Sequence, residues 1–142
     1  MASKPSLTIK RRLKAPAEKV YQAWTQPEQM IRWWGPISEV RPKAATDVRV
    51  GGKFRVSFKG TAGEHHEVSG VYREVVPDRK LVFSWAWHTT PERESLVTID
   101  LRPDGDGTML TLTHEQFFDQ KACDDHRRGW TLFLDNLEGI FA

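Results

Sequence analysis

The apolar residues of this chain change period twice. Between Lys53 and Glu115 they alternate with polar ones, and on both flanks they recur at helical spacing. Alternation sends successive side chains to opposite faces of a strand, so the middle of the chain is predicted to form a sheet with one apolar face. Such a face needs a cover, and the helical period at the end of the chain supplies one.

The elements follow from local signals. Leu7, Ile9 and Leu13 share one face of a first strand. Pro16 suits the first turn of a helix, with Glu18 near its positive end and Val20, Ala23 and Trp24 as its stripe. Pro27 and Glu28 repeat the start signal, Met30, Ile31 and Trp34 form a second short stripe, and Gly35-Pro36 stops it. Phe54, Val56 and Phe58 then alternate with Lys53, Arg55, Ser57 and Lys59. Turns at Thr61-Ala62-Gly63, Pro77-Asp78 and Asp104-Gly105-Asp106-Gly107 separate strands carrying Val68 and Tyr72, Leu81 to Trp87, Val97 to Leu101, and Leu110 to His114. Asp119 is an N-cap candidate for a last helix, along which Ala122, His126, Trp130, Phe133, Leu137 and Phe141 recur. The reading is an α+β helix-grip. A sheet of six to seven antiparallel strands wraps a long C-terminal helix, with two short helices after the first strand.

A chain of 142 residues is one domain, 1–142, and is long enough to fold without a disulfide or metal staple. Its net charge of +2 lacks the basic excess of a nucleic-acid binder, so no nucleic acid is expected as a partner. A single cysteine, Cys123, excludes an intramolecular disulfide and fits a reducing compartment. Residues 1–6 carry no apolar signal region and no stretch approaches a membrane span, so the expectation is a cytoplasmic protein without a membrane partner.

The motifs and their order resemble the START-like, Bet v 1-like helix-grip superfamily, also called SRPBCC. The similar branch is the C-terminal domain of Hsp90 ATPase activators. Carrying that resemblance are Ala15-Pro16-Ala17-Glu18-Lys19-Val20-Tyr21-Gln22-Ala23-Trp24, Trp33-Trp34-Gly35-Pro36 and Val50-Gly51-Gly52-Lys53-Phe54. Gly70 with Glu74, Leu81-Val82-Phe83-Ser84-Trp85, Leu112-Thr113-His114-Glu115 and Gly129-Trp130 continue it, so that it spans Leu7 to Ile140. It implies the fold. For function it implies a range: carriers of hydrophobic ligands, polyketide cyclases, antibiotic-sequestering proteins and chaperone activators. No shared catalytic residue and no cofactor come with it. On its length, the chain is not expected to carry the additional N-terminal domain of the full-length chaperone activators.

The resemblance favours a cavity between sheet and last helix over a filled core, although both use the same residue types. Its expected walls are Trp34, Phe54, Val56, Phe58 and Val68, then Phe83, Trp85, Trp87, Val97 and Leu112, with Trp130 and Leu134 facing them from the helix. Adjacent helical positions point about 100° apart, so only one of Trp33 and Trp34 is expected to face inward, and Trp34 shares the stripe. His114 continues the inward register of Leu110 and Leu112. There it either orients a ligand, acts as a general base, or serves as a structural histidine bonded to its neighbours. Tyr72 is expected to place its hydroxyl in the cavity or to keep its tip wet, and Glu74 and Glu115 to lie outward.

The other candidates read blandly. His65 and His66 are adjacent on a strand and point to opposite faces, so they do not chelate one ion, and no metal site is expected. Cys123 and His126 lie one helical turn apart but lack an orienting third group. Lys10, Arg11, Arg12 and Lys14, with Arg127 and Arg128, read as solvated surface. The expected partner is therefore an apolar or aromatic small molecule. A cyclase or dehydratase reaction in the same cavity and a chaperone partner are the alternatives, and a homodimer is left open.

Overall fold

The computed structural model describes residues 4–36 and 41–142; residues 37–40 and residues 1–3 of the opening segment lie outside the description. Strand β1 (Leu7–Leu13) leads into the short helices α1 (Ala17–Thr25) and α2 (Pro27–Met30). Strands β2 (Lys43–Thr46), β3 (Lys53–Lys59), β4 (His65–Val76), β5 (Lys80–Trp87), β6 (Ser95–Asp104) and β7 (Gly107–Glu115) follow, and helix α3 (Gln120–Ile140) ends the chain. The strands form one antiparallel sheet in the order β1-β7-β6-β5-β4-β3-β2. The chain is thus a seven-stranded helix-grip. The meander from β2 to β7 places every strand beside its sequence neighbour, and β1 closes onto β7, where Leu7 pairs with His114.

The sheet bends at β4 and β5, where a close approach and a bulge interrupt the ladder. Gly70 lies so close to β5 that a Cβ there would sit 1.8 Å from the Ser84 carbonyl oxygen. The Ser84 hydroxyl accepts from the Val71 N–H at 2.8 Å, standing in for a ladder bond at the bend. A bulge between Tyr72 and Glu74 then shifts the register by one. The concave face so formed carries Phe54, Val56, Val68, Phe83, Val97, Ile99, Leu110 and Leu112, all buried.

Helix α3 lies on that face. Asp119 caps it, its carboxylate accepting from the Ala122 N–H at 2.8 Å. Trp130, Phe133, Leu134 and Leu137 turn inward, and Arg11 of β1 pins the far end through Asp135 at 2.7 Å and Glu138 at 3.1 Å. Asn136 donates to the carbonyl oxygens of Trp33 and Gly35, tying the helix to the segment that follows α2.

One expectation fails here. Trp33 and Trp34 are both buried, at 1% and 3% exposure. The 100° argument assumed a helix through both, but α2 ends at Met30 and the chain turns from Ile31 to Pro36. Freed from helical geometry, Trp33 packs edge-on against Trp24 and donates to the Ala23 carbonyl at 2.9 Å, while Trp34 stacks on Trp85.

Candidate functional site

The space between sheet and helix is filled at its centre by indoles. Trp34 lies 5.8 Å from Trp85 and 6.0 Å from Trp130 between ring centroids; Trp85 and Trp130 are 5.0 Å apart, and Trp24 closes on Trp130 at 5.9 Å. Rings at these distances are in contact, so this part of the interior is a packed core. The indole N–H groups of Trp24 and Trp34 are buried there without a hydrogen-bond partner among the described residues.

Open space lies at one end, between the β3–β4 hairpin and the first half of α3. This groove has a volume of about 660 Å³. Phe58, Trp85, Trp87, Trp130 and Phe133 form its apolar surface; Glu64, His66, Asp125 and Arg128 stand around it. The expected wall residues therefore divide. Phe58, Trp85, Trp87 and Trp130 line the groove. Val56, Val68, Val97, Leu112 and Leu134 are fully buried core, and Trp34 belongs to the indole pile behind the groove. Phe54, Tyr72 and Phe83 form a separate aromatic cluster with centroids 5.1–6.1 Å apart. Tyr72 is 2% exposed, and burial raises its phenol pKa, so it offers no hydroxyl to the groove.

His114 is fully buried and does not reach the groove. Its Nδ1 accepts from the Trp130 indole N–H at 3.0 Å. Indole only donates, so the neutral ring carries its proton on Nε2, which donates to Ser95 Oγ at 2.7 Å. Ser95 in turn donates to the Trp85 carbonyl at 3.3 Å. Burial, reinforced by neighbouring His126, holds the His114 pKa well below its ordinary value of 6.5. Both nitrogens are engaged, which is the structural arrangement among the three foreseen.

The residue that sequence reasoning passed over is His126. It sits on the apolar stripe of the last helix, where its spacing in sequence pairs it only with Cys123. In the fold it turns toward β5, and its Nε2 accepts from Trp87 Nε1 at 2.9 Å and Trp85 Nε1 at 3.3 Å. Nδ1 faces the Ala122 carbonyl at 2.7 Å. Burial lowers its pKa, opposed by that hydrogen bond and the charge of Asp125. The signal that could have found it was the histidine one turn before Trp130 on an otherwise apolar face. Cys123 is buried, and burial raises its pKa away from a reactive thiolate.

His66 packs on Phe58 and Trp87 at the groove, whereas His65 meets His88, with centroids 5.7 Å apart. Among the described residues no three His, Cys, Asp or Glu side chains stand close enough to hold a metal ion. The basic run is locally paired, Arg11 with Asp135 and Glu138, Arg12 with Asp104 and Asp106. No helix among the described residues is long and apolar enough to cross a membrane.

Comparison with solved structures gives close matches in shape. CV1439 from Chromobacterium violaceum is 26% identical with a TM-score of 0.83, covering 96% of each chain. CalU16 from Micromonospora echinospora is 30% identical with a TM-score of 0.75, covering 96% of this chain and 74% of that one. Mll3558 from Rhizobium loti is 29% identical with a TM-score of 0.75, covering 95% of each. No curated protein matches the sequence. The model of the family described as activator of Hsp90 ATPase homolog 1-like protein matches residues 14–142, and with the helix-grip architecture this establishes that the chain belongs to that family.

Proposed function

We propose that this protein binds an apolar or aromatic small molecule in the groove between the β3–β4 hairpin and α3. The observation that carries the reading is the groove itself: about 660 Å³, lined by five large aromatic side chains, Phe58, Trp85, Trp87, Trp130 and Phe133. That size suits a small organic ligand, and aromatic walls with a few polar groups are the usual composition of such sites. Gly129 adds support. It stands inside α3, lines the groove, and a Cβ there would meet nothing within 4 Å. A glycine inside a helix costs about 1 kcal/mol relative to alanine, and packing at this position does not demand it. The missing side chain leaves room over Trp130.

Neither cyclisation nor chaperone activation has a comparable observation behind it, since His114 offers no open nitrogen. The lone buried thiol keeps the cytoplasm as the proposed compartment.

The test is titration with a panel of aromatic and lipid-like molecules, read by tryptophan emission and thermal unfolding. Saturable quenching and a raised Tm are expected for the wild type. Gly129→Phe should fill the groove, abolish the quenching and leave the fold intact. A panel that neither quenches nor shifts Tm, or a Gly129→Phe variant that binds as well as the wild type, would overturn the reading.

A further inference from the structure

Two indole donors share one acceptor nitrogen in the groove wall. The Ala122 carbonyl can only accept, so Nδ1 of His126, 2.7 Å away, carries the ring proton. Nε2 is left with one lone pair. Two indole N–H groups converge on it, from Trp87 at 2.9 Å and from Trp85 at 3.3 Å. A single lone pair aligns well with one donor, not with two. His114 offers the contrast within the same cluster, with one partner for each nitrogen.

Trp85, Trp87 and His126 all line the groove, so the surplus donor belongs to its wall. Trp87 is the half-buried member of the pair, while Trp85 is 2% exposed. Charge narrows what the donor can receive. Around the groove stand two carboxylates, Glu64 and Asp125, against one guanidinium, Arg128, which is itself paired with Asp125. Glu64 is held by the Ala62 N–H and by His66. Among the described residues, that surround offers an anionic ligand no guanidinium or ammonium free of a carboxylate.

We propose that the groove selects an aromatic molecule bearing a neutral carbonyl oxygen, which accepts the indole N–H of Trp87 while Trp85 keeps Nε2 of His126. Each donor then has its own acceptor. The class is aryl ketones and related uncharged carbonyl compounds, and Trp87 is the residue that sets the preference. This inference rests on the groove being a ligand site.

Three probes of similar size separate the two claims: 2-acetylnaphthalene, 2-isopropenylnaphthalene and 2-naphthoate. Binding is measured by titration and by the indole N–H signals of ¹⁵N-labelled protein, with Trp87 assigned from its loss in Trp87→Phe. The ketone should bind about fivefold tighter than the alkene, the worth of one net hydrogen bond. Its binding should move the Trp87 indole signal most, and Trp87→Phe should level the two affinities. Equal binding of ketone and alkene overturns the proposal and leaves the groove reading standing. Tightest binding by the carboxylate also overturns it. If none of the three binds, the groove reading falls and takes the proposal with it. Should Trp87→Phe not fold, the ranking of the probes on the wild type decides alone.

Discussion

The hydrogen bonds of His114 show how a polar side chain survives in a fully apolar setting. Trp130 donates to one nitrogen, the other nitrogen donates to Ser95, and Ser95 passes on to the Trp85 backbone. Trp130→Phe would keep most of the ring and remove the one donor, leaving a buried Nδ1 without a partner. The expected loss is about 1–3 kcal/mol, the usual penalty for an orphaned buried acceptor. Urea unfolding of the variant checks it, and an unchanged midpoint would show that the bond contributes nothing. The inward register of His114 was legible, because alternation along Leu110, Leu112 and His114 requires no partner strand. Its bonding was not. Trp130 is 16 residues away on another element, and nothing local to either residue specifies the meeting. His126 shows the same limit more strongly, since its indole partners on β5 lie 39 and 41 residues back. The groove's polar wall is therefore a product of helix-on-sheet packing that single-sequence periodicity does not contain.

Strands β3 and β5 to β7 were legible because large apolar residues mark every second position, and β4 through Val68 and Tyr72 on either side of Gly70. Strand β2 was not read individually. Its sequence Lys-Ala-Ala-Thr has no large side chain to mark a face, and pairing with β3 from Lys43–Ser57 to Thr46–Phe54 makes it a strand. The curl of the sheet was equally hidden, although Gly70 hinted at it. With β5 this close, an added methyl at Gly70 would collide with the Ser84 carbonyl and with the Phe54 ring at 2.7 Å. Backbone cannot step aside as a flexible side chain can, so Gly70→Ala must open the β4–β5 seam. Overpacking of this kind costs typically 1–3 kcal/mol, and a backbone clash belongs at or above about 3 kcal/mol. The opening should appear in hydrogen exchange as lost protection at Val71, whose N–H bonds the Ser84 hydroxyl. Gly70→Ala with native stability and native protection would mean that the sheet flattens there without cost. The groove depends on this curl, because it brings the β3–β4 hairpin round to face α3.

Burying two imidazoles in one indole cluster ties the stability of the entire fold to pH. Burial lowers the pKa of both His114 and His126 from the ordinary 6.5. In the unfolded chain both take up protons as the pH falls through 6.5, while in the native state they resist. The unfolded state therefore binds more protons below that point, and stability present above it is lost as the pH drops toward the native pKa values. Geometry gives the same sign. Protonating His114 would put a second N–H against the Trp130 donor, and protonating His126 would do so against Trp85 and Trp87. Asp125 is the charge that opposes this for His126, and Lys121 and Arg128 already hold that carboxylate. Carboxylates whose pKa is lowered, Glu64 and Asp125, add their own acid sensitivity only near pH 4 and below, outside the histidine window. Unfolding free energy should thus be level from about pH 7 to 8 and fall as the pH drops below 6.5, with His114 alone contributing a slope of at most about 1.4 kcal/mol per pH unit. His114→Asn should be less stable at pH 7 and should lose that part of the slope. A wild type equally stable at pH 7 and pH 5 would show that the cluster accepts a proton without breaking, as would a variant that keeps the full slope. In either case the indoles could not be holding the histidines neutral.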